Sequence, residues 1–201
     1  MKRIKNDKYY TEAKLTKVLL DNVDIYGNVF EPCAGNRDIS RALEEHIYSG
    51  VHADRSAIFS SDLTDESEAL YPGDPDDFPK DATTKEFWEA YKASGFDWTV
   101  TNPPFNLAPR IIPLAYEYSN RGIAMLLRLT YLEPCGNRAQ WLAENADQLR
   151  CVIPVNPRPK FRGDSKGTDS CTVAWFVWDK WHSWEALGAD CPFVFAAGWN
   201  K

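Results

Sequence analysis

No apolar run in this chain approaches the ~18 residues that a membrane-spanning helix requires. An apolar signal core is missing as well, since Met1 to Tyr10 is rich in charge, and secretion is not expected. Histidines number only three. The five cysteines (Cys33, Cys135, Cys151, Cys171 and Cys191) are odd in number and contain no Cys-x-x-Cys pair. That argues against a disulfide framework and against a zinc site, so no metal is expected and a reducing cytoplasm is the simplest compartment. There is no internal repeat and no low-complexity tract. Excess positive charge is also lacking: the formal net charge is -6, which argues mildly against a protein that coats nucleic acid.

What is present is the composition of an ordinary soluble globular protein, 44% hydrophobic and 26% charged over 201 residues. That length suits one domain, expected over 1–201 with an acidic loop insertion at about 63–95. The acidity is local. Between Asp62 and Asp81 eight acids stand against one base, Lys80. A later stretch has the opposite sign, with Arg158, Lys160, Arg162 and Lys166 against Asp164 alone. A phosphate backbone could meet this stretch while avoiding the acidic one, although both also read as solvated loops.

Helical periods occur at Leu15, Val18, Leu19 and Asn22, and at Ile39, Ala42, Leu43 and Ile47. The second predicts a helix over 38–48. Phe87, Trp88 and Tyr91 suggest a short helix after the acidic loop, residues 107–119 one kinked at Pro113, and 138–149 another. Short apolar pieces predict strands at 29–30, 50–54, 96–101, 123–127, 151–155 and 172–178. Their alternation with helices predicts an α/β fold with a mostly parallel sheet, in which ligands bind beyond the carboxyl ends of the strands. Trp175, Trp178, Trp181 and Trp184 recur every three residues and read as packing groups.

Three unusual segments fall at predicted strand ends: Glu31-Pro32-Cys33-Ala34-Gly35, Asp54, and Asn102-Pro103-Pro104-Phe105. Two successive prolines fix the backbone and remove two amide donors. Carbonyl oxygens remain, beside a side-chain amide and an aromatic face. Such a corner suits a flat group bearing NH2. The Asn102 oxygen and the Pro103 carbonyl can each accept one amino hydrogen, and Phe105 can stack on the ring. The nitrogen lone pair is then directed at an electrophile, and no strong base is required.

These segments resemble those of the amino-methylating, S-adenosylmethionine-dependent DNA methyltransferases, most closely the small phage-type N6-adenine enzymes. The resemblance implies a Rossmann-like three-layer fold with one antiparallel strand, S-adenosylmethionine as cofactor, and adenine-containing DNA as partner. It makes Asn102, Pro103, Pro104 and Phe105 the catalytic motif. It places Tyr10 and Thr11 over the methionine end of the cofactor, with Glu31, Pro32, Ala34 and Gly35 in the first cofactor loop. Asp54, 23 residues beyond Glu31, matches the acid that takes the ribose hydroxyls, within the general spacing of about 20. Asp62 resembles the acid at the cofactor's adenine amino group. Arg158, Lys160, Phe161, Arg162 and Lys166 resemble the closing segment and are candidate nucleic-acid contacts.

Some of these residues also have plain structural readings. Thr11 is a fair N-cap, and Glu31 can simply orient the loop. The chain departs from the family at Arg37, where a second glycine is usual. Arg37 could crowd the cofactor's carboxylate end or pair with it, and Asn36 could take over a left-handed conformation. Asn-Pro-Pro-aromatic turns also resemble those of enzymes that methylate RNA bases or protein glutamines. The altered loop further leaves open a methyltransferase-shaped binding protein without turnover. The sequence does not give the oligomeric state or the target DNA sequence.

Overall fold

The computed structural model describes residues 11–49, 56–63, 80–133, 135–159 and 172–197. Seven strands form one sheet: β1 (Asn28–Glu31), β2 (Ala57–Ser60), β3 (Trp98–Thr101), β4 (Gly122–Arg128), β5 (Leu149–Asn156), β6 (Val173–Asp179) and β7 (Ala196–Ala197). Their order is β2-β1-β3-β4-β6-β5-β7. β1 to β4 run parallel, β6 is antiparallel to both β4 and β5, and β7 is parallel to β5. Among the described residues five α-helices accompany the sheet: α1 (Ala13–Leu20), α2 (Asp38–Tyr48), α3 (Lys85–Tyr91), α4 (Ala108–Tyr118) and α5 (Gly136–Glu144).

Alternating side chains divide the core into two layers. On one face Val29, Trp98, Val100, Ala124, Leu126 and Trp175 pack with the apolar stripes of α1 and α2. On the other, Phe30, Ile123, Met125, Leu127, Phe176 and Trp178 pack with α3 and α4, and Trp141 of α5 lies against them. Because β4 and β6 are covered on both sides, both read as continuous apolar runs. Trp175 and Trp178 fall on opposite faces, so their three-residue spacing serves two cores rather than one stripe. Gly122 opens β4 because nothing larger fits: a Cβ there would meet the Trp178 carbonyl at 2.2 Å.

The expected α/β sheet with one antiparallel strand is therefore present, with differences at several boundaries. The helix expected over 138–149 ends at Glu144, where Asn145 bonds back to the Trp141 carbonyl through both its backbone N–H and its side-chain amide. β5 then begins at Leu149. Pro113 lies inside α4, between the buried Ile112 and Ala115. The strand expected over 50–54 lies outside the described residues. The strand that pairs beside β1 is Ala57–Ser60. Among the described residues no helix is long and apolar enough to cross a membrane.

Candidate active site

The carboxyl ends of β1, β2, β3 and β4 lie at one end of the sheet, and three loops meet there. The loop after β3 is Asn102-Pro103-Pro104-Phe105. The Pro104 carbonyl accepts from the N–H groups of Leu107 and Ala108, at 2.8 and 3.0 Å, so the corner is fastened to the start of α4. Asn102 Nδ2 donates to Thr11 Oγ1 at 3.0 Å. Thr11 does not cap α1, contrary to the sequence expectation. The N-cap is Glu12, without a side-chain cap bond, and the buried Thr11 hydroxyl faces the Asn102 amide instead.

The loop after β1 is held from beneath by Glu31. Its carboxyl group is 1% exposed and accepts from the Ser40 N–H at 2.9 Å and from the Ser40 hydroxyl. Burial pushes this carboxyl up to about 8, against the lowering effect of the Ser40 bonds and Arg37. Glu31 thus ties the loop to the first turn of α2. Above it, Gly35 and Arg37 have positive φ, 49° and 62°. The left-handed residue standing where a glycine is usual is Arg37 itself, not Asn36. Arg37 Nε donates to Ser60 Oγ at 3.1 Å and its Nη2 pairs with Glu44 at 2.9 Å. The side chain is thereby drawn across to β2 and along α2.

β2 joins the same assembly. The Ser61 N–H donates to the Glu31 carbonyl at 2.9 Å, and the Ala34 N–H to the Ser61 carbonyl at 3.0 Å. The Gly35 N–H donates to Asp62 Oδ2 at 2.8 Å. Asp62 therefore stands just past the strand beside β1, the place in the fold that the sequence expectation gave to Asp54. Tyr10 and Asp54 lie outside the described residues.

A cleft with about 660 Å³ of open space connects the loops, lined by Pro32, Cys33, Asp62, Ala82, Pro104 and Leu107 among others. Its walls are mostly apolar, and Asp62, Lys80 and Asp81 are the charged residues among the described lining. Burial and the Asp62 carboxylate push the Cys33 thiol well above its ordinary range, so the sulfur on this wall stays protonated and weakly nucleophilic. A second cleft, with about 560 Å³ of open space, is lined by Phe105, Asn106, Leu127, Arg128, Thr130, Tyr131 and Arg138. The proline corner thus stands between two spaces, one against the β1 and β2 loops and one against the end of β4. Among the described residues no group of three or more His, Cys, Asp and Glu is placed to hold a metal ion.

No family model matches the chain, and no curated protein does. Solved structures do. A protein assigned as a class I S-adenosylmethionine-dependent methyltransferase from Listeria monocytogenes superposes with a TM-score of 0.58 at 8% identity, over 98% of this chain and 67% of its own. The chain has the class I methyltransferase fold. A protein assigned as the modification subunit of a type I restriction enzyme from Vibrio vulnificus gives 0.62 at 14% identity, over 88% of this chain and 45% of its own. The M protein of the type I restriction enzyme EcoKI gives 0.60 at 16%, over 86% and 44%. The chain thus spans a little under half the length of these two proteins.

Within the methyltransferase fold the remaining sequence candidates divide. Arg158 is exposed and lies two residues past β5, after a cis Asn156–Pro157 bond. Since β4 and β5 are both antiparallel to β6, Arg158 leaves the sheet at the same end as the proline corner. Lys160, Phe161, Arg162 and Lys166 lie outside the described residues. Arg128 and Arg138 were not singled out by the sequence. Arg128 ends a buried strand and Arg138 lies in the first turn of α5, so each resembled an ordinary terminal charge.

Proposed function

We propose that the protein is an S-adenosylmethionine-dependent methyltransferase of the compact phage type, acting on the exocyclic amino group of adenine in DNA. The observation that carries this reading is the Asn102–Phe105 corner standing between two clefts, one of them shared with the β1 and β2 loops. Pro32, Ala34 and Gly35 shape the first loop, Glu31 supports it, and Asp62 offers a carboxylate at the end of β2. The apolar walls and that acid suit a flat heterocycle joined to a ribose, and the Arg37 side chain is held by Ser60 and Glu44. Tyr10, Thr11 and Asp54 complete the proposed cofactor set. When bound, S-adenosylmethionine supplies a methyl group on a sulfonium, an electrophile that needs no further activation.

The chain's own part is orientation and polar stabilisation. Asn102 Oδ1 and the Pro103 carbonyl accept the two amino hydrogens of the target and turn its lone pair toward the methyl. Phe105 stacks on the base, worth about 1–3 kcal/mol, which offsets part of the cost of taking it out of the duplex. Pro104 holds the corner on α4. The proposed step needs no imidazole or carboxylate, because the amino nitrogen becomes acidic once it carries the new bond.

The test is transfer of labelled methyl from S-adenosylmethionine to adenine-containing DNA. Asn102→Ala is expected to lower turnover by about 10²–10³-fold or more, as for loss of a preorganised polar group at a reacting centre. Cofactor affinity, measured by calorimetry, should be largely retained. Near wild-type turnover in this variant overturns the site. Label appearing in RNA or on a protein glutamine, and not in DNA, overturns the substrate.

A further inference from the structure

We propose that Arg37 is a positioning residue for the cofactor: its guanidinium clamps the end of β2 to α2 and so presets the loop from Pro32 to Asn36. This deepens the methyltransferase reading and rests on it. Arg37 is left-handed, with φ 62° and ψ 29°. Outside glycine that conformation is strained and persists only where the surroundings over-determine it. Here they do. Nε donates to Ser60 Oγ at 3.1 Å, at the last residue of β2, and Nη2 meets Glu44 Oε1 at 2.9 Å, within α2. The Arg37 side chain is 15% exposed and that of Glu44 28%. The Arg37 N–H donates to the Ala34 carbonyl at 2.7 Å, and its carbonyl accepts from the Arg41 N–H at 2.9 Å. Backbone and side chain are thus both fixed.

The clamp acts on the atoms that the cofactor reading uses. Ser60 stands two residues before Asp62, whose Oδ2 accepts from the Gly35 N–H at 2.8 Å. Ser61, between them, donates to the Glu31 carbonyl and accepts from the Ala34 N–H. Loop, strand end and helix start therefore form a closed ring of bonds, and Arg37 spans it from β2 to α2. Pro32, Cys33 and Asp62 line the first cleft, and Arg37 is not among its described lining. The guanidinium therefore acts through Ser60 and Glu44 rather than by meeting the guest. A glycine here would relieve the backbone but release the loop, since it brings conformational freedom and no side chain to anchor. Fixing a binding loop in advance removes an ordering cost from the binding step. The expected sign is opposite to that of a residue that crowds the cofactor.

The test uses the full chain, with S-adenosylmethionine affinity read by calorimetry and amide hydrogen exchange over residues 31–37 read without cofactor. Arg37→Gly is expected to raise the dissociation constant about tenfold and to speed exchange of the Ala34 and Gly35 amides. The kcat at saturating cofactor should stay near wild type, as should the urea midpoint, because relief of strain offsets the lost contacts. Glu44→Gln keeps an acceptor without the charge and should move affinity and exchange the same way by less. Added to Arg37→Gly it should add nothing, because the two act through one contact. Arg37→Lys can keep the ion pair without the second bond and should recover part of the affinity. Where Arg37→Gly does not fold, Glu44→Gln and Ser60→Ala carry the test. Tighter binding by Arg37→Gly overturns the proposal and makes the arginine a crowding residue. A lower urea midpoint with wild-type affinity and exchange in the folded variant also overturns it, since Arg37 is then structural only. If wild type binds S-adenosylmethionine and the clamp variants bind it equally well, the clamp falls alone. If folded wild type binds none, the methyltransferase reading falls, and the cofactor role of Arg37 with it.

Discussion

At the amino ends of β3 and β4 and at their carboxyl ends the protein uses the same device, a guanidinium laid on aromatic rings, to different effect. At the amino end Arg121 lies within 4.5 Å of the Tyr26 ring centroid and 5.2 Å of those of Trp98 and Trp181. Its side chain is 5% exposed, and it shares the fully buried Asp179 carboxylate with Arg150, at 3.6 and 3.0 Å. That carboxylate also accepts from the backbone N–H groups of Trp181 and His182. Cation, acid and rings close on one another there, and the assembly fastens β4, β5 and β6 together. At the carboxyl end Arg128 and Arg138 also lie on rings, and they border open space. A buried acid at that end, Glu31, lies under a loop with a serine for partner. The same interaction closes on a shared buried carboxylate at one end and borders open space at the other.

The sharpest way to break this contrast is to remove the charge at the closed end. Asp179→Asn keeps the shape but leaves Arg121 and Arg150 without their anion in a buried site. Removing one partner of a buried pair costs about 3–5 kcal/mol, and a drop of that size in unfolding free energy is expected from urea titration. S-adenosylmethionine affinity of the folded fraction should stay as in wild type. A variant with wild-type stability would show that Asp179 is not the staple. Lost cofactor affinity at full stability would show that the two ends are not separate.

Much of this arrangement was legible in the sequence where periodicity carried it. The stripe Ile39, Ala42, Leu43 and Ile47 marks α2, and the run from Ile123 to Leu127 marks β4, because burial imposes those patterns directly. The proline corner was legible because proline restricts the backbone by itself. Other features leave no such trace. β2 has four residues and sits between serines, a pattern no stronger in sequence than that of the preceding residues 50–54. A left-handed Arg37 cannot be read from a residue that disfavours that conformation. It is held by contacts to Ser60 and Glu44, 23 and 7 residues away. The Thr11–Asn102 bond spans 91 positions, and Arg128 and Arg138 meet at a cleft only because β4 ends where α5 begins.

A smaller effect sharpens the contrast between the two buried acids. Burial raises the folded-state carboxyl of Glu31 from 4.5 to about 8. Near neutral pH the folded protein therefore holds a proton that the unfolded chain releases. The sign follows: this group's contribution favours folding most below about 4.5 and declines as pH rises toward 8. Glu31→Gln mimics the protonated form and retains an acceptor for Ser40. It should flatten the fall in urea midpoint between those pH values and leave the variant more stable at pH 8, by on the order of a few kcal/mol. Parallel pH profiles for wild type and variant would place the proton elsewhere.

The smallest expected effect concerns a neutral bond at the open end. Asn102 Nδ2 donates to Thr11 Oγ1, which leaves Oδ1 as the amide's acceptor for the target amino group. Loss of the Thr11 hydroxyl removes one partner that orients the amide, and a flipped Asn102 would present a donor to a donor. Thr11→Val removes the hydroxyl with little change in shape. One such bond is worth about 0.5–1.5 kcal/mol, so kcat should fall by up to about tenfold, with Thr11→Ser restoring it. The family resemblance gives the same residue to the cofactor, and the kinetics separate the two roles. A loss confined to kcat makes Thr11 a positioning residue acting through Asn102. A rise in the S-adenosylmethionine dissociation constant with kcat intact makes it a cofactor contact. In the first case the open end relies on neutral hydrogen bonds for orientation, whereas the closed end relies on buried charge for cohesion.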